Sequence, residues 1–163
     1  MQTVPKSVTV HLPHRQQEYD YSCLAACARM LLAAHGIEKS EAQLRRLLKT
    51  RASVGTHPVN LIRLEQFDLA VTWPRAASLD DLRTQVESNK PCIVFVWSSD
   101  LLYWEEVDDI GYLHAVIVAG FSETGVLVHD PALPDGPTEV PVSDFLRAWK
   151  RSGHLVAVVE KAT

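Results

Sequence analysis

The rhythm of hydrophobic and polar positions changes near residue 90 of this 163-residue chain. Before that point apolar residues recur mostly at helical spacing. Between Cys23 and Ala34 the only charge is Arg29, which predicts a helix buried on nearly all sides, entered at about Ser22 and left at Gly36. Ser40-Glu41-Ala42-Gln43 has the form of a capping box and predicts a second helix to about Lys49, with Leu44, Leu47 and Leu48 on one face. The stretch RASVGTHP, Arg51 to Pro58, predicts a loop, followed by a short helix at about Leu61 to Gln66 and a strand from Leu69 to Trp73 stopped by Pro74. Ser78-Leu79-Asp80-Asp81 opens a further helix ending near Asn89, with Leu79, Leu82 and Val86 inward.

After residue 90 the runs become short and β-branched. Cys92 to Trp97, Leu113 to Ala119, Gly125 to His129 and Leu155 to Val159 predict strands, interrupted by one helix from Ser143 to Lys150. Val8 to Leu12 is a candidate first strand. Helices first and strands later predict one α+β domain over residues 1–163, its central helix packed on a mostly antiparallel sheet.

Composition narrows the function class. Apolar residues make up 47% and charged residues 22%, as in a soluble globular chain, and a net charge of −4 speaks against a nucleic-acid surface. Arg45, Arg46, Lys49 and Arg51 are expected on the wet face of a helix. No apolar run approaches the roughly 20 residues of a membrane span, and MQTVPKSVTVHLPH lacks a signal core, so a cytoplasmic location without membrane insertion is expected. Three cysteines, an odd number, fit reduced thiols.

One cysteine stands apart. Cys23 falls in the first turn of its helix, where unpaired N–H groups and the dipole favour a thiolate. His114 opens an apolar strand, where an imidazole needs partners, and Asp130 ends the next strand before Pro131. A turn through Glu123, Thr124 and Gly125 brings both to one end of a hairpin, offset by a residue or two unless a bulge corrects the register. Thiol, imidazole and carboxylate make a nucleophile–base–orienter set, with Asp130 expected to accept the His114 Nδ1–H.

QEYDYSCLAACARMLLAAHG, with LHAVIVAG and HDPALPDG downstream, resembles the bacteriocin-processing, double-glycine-type cysteine peptidases, cysteine peptidase family 39. The resemblance extends through SEAQLRRLL, NKPCIVFV and SDFLRAW, roughly Gln17 to Trp149. It implies a papain-like fold and Cys23 as nucleophile, His114 as base and then acid, and Asp130 as orienter. It also implies Gln17 as an oxyanion donor beside the Cys23 N–H. With neither membrane spans nor an ATPase, the chain is similar to the stand-alone members. A peptide or protein substrate follows, with leader or propeptide processing as the activity and no cofactor. Leu24 stands where the family commonly has glycine, which keeps a backbone N–H but adds bulk.

Other residues have quieter expected roles. Cys27 and Cys92 are expected as core thiols, and no metal-ligand spacing is present. His11, His14, His35 and His154 are expected at the surface or in packing, and His129 on the sheet face opposite Asp130. Trp97, Tyr103 and Trp104 are candidates for a groove or for core. Glu105, Glu106, Asp108 and Asp109 form an acidic run that could recruit a basic peptide at the cleft lip. Two rival readings remain open: an acyltransferase using the same acyl-enzyme, and a catalytically silent peptide-binding domain.

Overall fold

The structure, a computed structural model, describes residues 7–105 and 110–163, with the side chains of 73–75 excepted. Among the described residues the strands are β1 (Val8–Thr9), β2 (Leu69–Ala76), β3 (Cys92–Trp97), β4 (Leu113–Phe121), β5 (Gly125–His129), β6 (Thr138–Pro141) and β7 (Leu155–Lys161). The α-helices are α1 (Cys23–Ala34), α2 (Glu41–Leu47), α3 (Leu79–Glu87) and α4 (Val142–Lys150). The strands form one sheet in the order β2-β7-β3-β4-β5-β6, with β1 paired to the end of β4. Each of these pairings is antiparallel.

Each sheet face carries its own core. Ile93, Phe95, Ala115, Ile117, Ala157 and Val159 meet Leu24, Cys27, Ala28, Leu31 and Leu32 of α1 and Leu44 of α2. The alternate residues Val94, Val96, Val116, Val118, Val156 and Val158 meet Leu82 and Val86 of α3 and Phe145, Ala148 and Trp149 of α4. A buried helix on one side and amphipathic helices on the other follow from the sequence pattern, since α1 has apolar residues all round and α4 only along one stripe. Both capping boxes are formed, Ser40 with Gln43 and Ser78 with Asp81.

The predicted elements shift in several places. β2 runs past Pro74 to Ala76, because it is an edge strand and its pairing with β7 is irregular between Thr72 and Arg75, where a residue without an N–H is tolerated. The segment after the loop is a 3₁₀ helix, Pro58–Phe67, and β1 is shorter than expected. β6 was not anticipated, since TEVP is short and ends in proline. Arg45 is not simply a solvated charge: it bonds Glu18 at 2.9 Å and Glu41 at 3.0 Å and lies over the Tyr19 ring. No helix among the described residues is long and apolar enough to cross a membrane.

Candidate active site

A one-residue irregularity in the β4–β5 hairpin sets the site. Gly120 pairs with Leu127, but Val118 pairs with Val128 and Ile117 with His129, so Ala119 is the extra residue of a bulge. The shifted register sends Asp130 toward the face of Val116 and His114, and His129 to the other. A regular ladder would have placed Asp130 opposite Ile117, on the wrong face for His114.

His114 is buried, and its Nε2–H donates to Asp130 Oδ1 at 2.7 Å. The expected nitrogens are therefore exchanged: Nε2, not Nδ1, meets the carboxylate. Nδ1 lies nearer the backbone, and the residue next along the backbone, Ala115, is itself a hydrogen-bond partner of the Cys23 sulfur. Among the described residues the enclosed Nδ1 has no hydrogen bond of ordinary geometry, yet Cys23 acts on the imidazole by hydrogen bonding and charge. The thiol therefore lies within electrostatic reach of the imidazole.

The charges reinforce one another. Burial alone would lower the His114 pKa, but the Asp130 hydrogen bond and charge, with the Cys23 contribution, push it up to about 10. Burial alone would raise the Cys23 pKa, but His114 and the backbone hydrogen bonds from Ala115 and Leu24 hold it below its usual value. The bond from Leu24 shows that a side chain at this position keeps the donor that glycine would offer. The Leu24 side chain itself turns into the α1 core. By contrast, burial pushes Cys92 up to about 12 and Cys27 well above its normal range.

Asp130 is held by more than His114. Its Oδ1 also accepts Ala132 N–H at 2.9 Å, while Oδ2 accepts Tyr103 Oη–H at 2.7 Å and Trp104 Nε1–H at 2.8 Å. Burial raises the Asp130 pKa, and His114, Ala132 and Trp104 more than offset it, so the carboxylate stays ionised. Trp104 also meets the His114 ring edge-on, with centroids 5.0 Å apart. Tyr103 and Trp104 were expected only as groove or core. Their polar handles, which need acceptors once enclosed, were the available signal for a role beside a carboxylate.

Two cavities flank these residues. One, of about 610 Å³, is lined by Cys23, Leu24, the Ser53–Thr56 loop, Phe95, Leu113 and Ala115. The other, of about 810 Å³, is lined by Gln17, Ser98, Tyr103, Trp104, Glu105 and Leu133. Asp20 and Tyr112 border both. Gln17 is thus on the second cavity, where its Nε2 donates to Tyr19 O at 2.8 Å; among the described residues its second N–H has no acceptor and its enclosed Oε1 no donor. Of the acidic run, Glu105 is on this rim, while Glu106, Asp108 and Asp109 lie outside the described residues. Among the described residues no group of three or more His, Cys, Asp or Glu side chains is arranged to hold a metal ion.

A histidine pair was also missed. His129 Nδ1 lies 3.0 Å from His14 Nδ1, with the rings stacked, and His14 Nε2 donates to Leu133 O at 2.7 Å. Burial and the neighbouring imidazole lower the His129 pKa to about 4. Gly136 closes the cluster, since a Cβ there would fall 2.5 Å from His14 Nδ1.

Solved structures share this architecture. A protein from Bacillus anthracis described as a C39-like peptidase superposes with a TM-score of 0.75 at 16% identity, over 98% of this chain and 100% of its own. A double glycine motif protease from an AMS/PCAT transporter, solved in complex with the leader peptide, gives 0.70 at 19% identity, over 95% of each chain. The peptidase domain of Streptococcus ComA, a bi-functional ABC transporter involved in a quorum sensing pathway, gives 0.68 at 18%, over 92% of this chain and 98% of its own. These superpositions show the papain-like C39 fold, and no curated protein sequence matches the chain. The family model of the Peptidase C39 family matches residues 11–163, and the chain belongs to that family.

Proposed function

We propose that the protein is a cysteine peptidase that hydrolyses a peptide bond through an acyl-enzyme on Cys23. The observation that carries this reading is the His114 imidazole, fixed by Asp130 at Nε2, its Nδ1 buried without a hydrogen-bond partner among the described residues, and the Cys23 thiol acting on the ring. In this reading the Cys23 thiolate attacks the scissile carbonyl, and the carbonyl oxygen takes the negative charge. The Cys23 backbone N–H and the spare Gln17 N–H stabilise that oxyanion. The His114 Nδ1 proton passes to the leaving amine as the C–N bond breaks. Water then enters, gives a proton to Nδ1, and its hydroxide releases the acid and restores the thiolate. The steps need no cofactor.

The leaving segment would depart along the cavity lined by Tyr103, Trp104 and Glu105, and the acyl segment would occupy the cavity of Cys23. A peptide carrying a leader is the substrate class that the relatives suggest, and a leader ending in two glycines is the first to try.

Iodoacetamide at neutral pH should label Cys23 well before Cys27 or Cys92, as mapped by mass spectrometry. Cys23→Ala should stay folded and fail to cleave any peptide the unaltered protein cleaves. Preferential labelling of Cys92, or turnover surviving in Cys23→Ala, would end this reading.

A further inference from the structure

Resting on the peptidase reading, we infer that Glu41 is a positioning residue: a buried carboxylate that clamps the Gln17–Ser22 strap and so fixes both proposed oxyanion donors. Glu41 is the first residue of α2, where a glutamate ordinarily points to solvent, yet its side chain is only 1% exposed. Its Oε1 accepts the backbone N–H of Glu18 at 2.9 Å and the hydroxyl of Ser22 at 3.1 Å. Its Oε2 is occupied by Arg45 Nε at 3.0 Å. Those two strap residues stand next to the two donors, Glu18 after Gln17 and Ser22 before Cys23.

The connection continues through Tyr19. Its N–H donates to Ser22 Oγ at 3.0 Å, and its carbonyl accepts Gln17 Nε2 at 2.8 Å. Ser22 occupies the N-cap position of α1, but its hydroxyl makes no capping bond to the helix and is committed to Glu41 and Tyr19 instead. The hydroxyl therefore ties the start of α1 to α2. Arg45 closes the outer side by bridging Glu41 and Glu18. An anchor this enclosed suits groups that stabilise a developing oxyanion, because a donor displaced by a fraction of an ångström loses most of its effect. The thiolate, in contrast, is set by His114, Ala115 and Leu24, whereas the hydrogen bonds of Glu41 go to Glu18, Ser22 and Arg45.

That separation gives the test, because alkylation by iodoacetamide forms no oxyanion, whereas acylation by p-nitrophenyl acetate does. In Glu41→Ala the alkylation rate of Cys23 should stay within about twofold, while acetylation slows about tenfold or more. Glu41→Gln keeps an oxygen for Glu18 N–H and Ser22, and should recover most of the acetylation rate. Ser22→Ala, a smaller change in case Glu41→Ala does not fold, should show the same split to a lesser degree. Equal slowing of both reactions, or no slowing of acetylation, with Cys23 labelled throughout, overturns this inference alone. Labelling of Cys27 or Cys92 in the unaltered protein overturns the nucleophile and the clamp together.

Discussion

His129 and Asp130 are neighbours in the chain, each meets an imidazole, and the two meetings have opposite outcomes. On the α3/α4 face Asp130 faces His114, and the opposite charges hold each other ionised, with the imidazole raised and the carboxyl lowered. On the other face His129 faces His14, two rings that cannot both carry a proton at their shared Nδ1 contact, and His129 is driven down. His14 gives its Nε2–H to the Leu133 carbonyl, so a neutral His14 presents a bare Nδ1 to the Nδ1–H of His129. Burial opposes charge in both places. The partner decides whether it wins, and the carboxylate overcomes it while the second imidazole adds to it.

The comparison can be broken most severely at His114. His114→Ala should lower turnover about a hundredfold or more, through loss of the acid and base. It also removes the main groups that offset burial at Cys23, so the pH at which alkylation of that thiol reaches half its maximum should move upward. An unmoved alkylation profile would show that the imidazole does not set the thiolate.

Asp130→Asn should reduce activity less than His114→Ala, since an amide oxygen can still accept the Nε2–H. The surrounding donors make it more than a conservative change. The new NH₂ must face the Trp104 N–H, which can only donate, so a loss of about 1–3 kcal/mol in stability is expected in chemical denaturation. A variant as stable as the original would mean that Trp104 does not depend on the carboxylate.

The most gradual effect is in pH dependence of folding. His129 has a folded pKa of about 4 against an ordinary 6.5, so the unfolded chain binds more protons between those values. Stability should therefore fall as pH drops through that window, by at most about 3 kcal/mol. The Asp130 contribution is present above an ordinary carboxyl pKa and lost only as pH falls through its lower folded value, so it should fade later. The raised pKa of His114 acts at the other end, its contribution intact below 6.5 and lost as pH climbs through about 10. His129→Asn should flatten the slope of Tm against pH between 6.5 and 4. An unchanged slope would relocate the effect to another group.

What could be read from the sequence is local. The capping box at Ser40, the helix start at Ser78 and the all-round apolar helix are encoded within a few residues of where they act, and they formed as expected. The proposed nucleophile, base and orienter were recognisable because each sits at an element boundary, and the structure brings Cys23, His114 and Asp130 together. What could not be read depends on partners far along the chain. His14 acquires its role from a residue 115 positions away. Glu41 looked like an ordinary helix opener until Glu18 and Ser22 were folded against it. The choice of His114 nitrogen follows from where two other elements arrive, which no spacing in LHAVIVAG records.

The bulge at Ala119 has a further consequence, best stated as parity. A strand is a two-state counter: each residue added or removed exchanges which face every later side chain serves. Between Phe121 and Val118 the counter is advanced once, and everything from Val128 to Asp130 inherits the result. What residue 119 contributes is chiefly its existence as a unit of length. Its side chain could vary within the space available, while removal of the unit would hand the imidazole of His129 to the face of His114 and send the carboxylate among the apolar groups of α1.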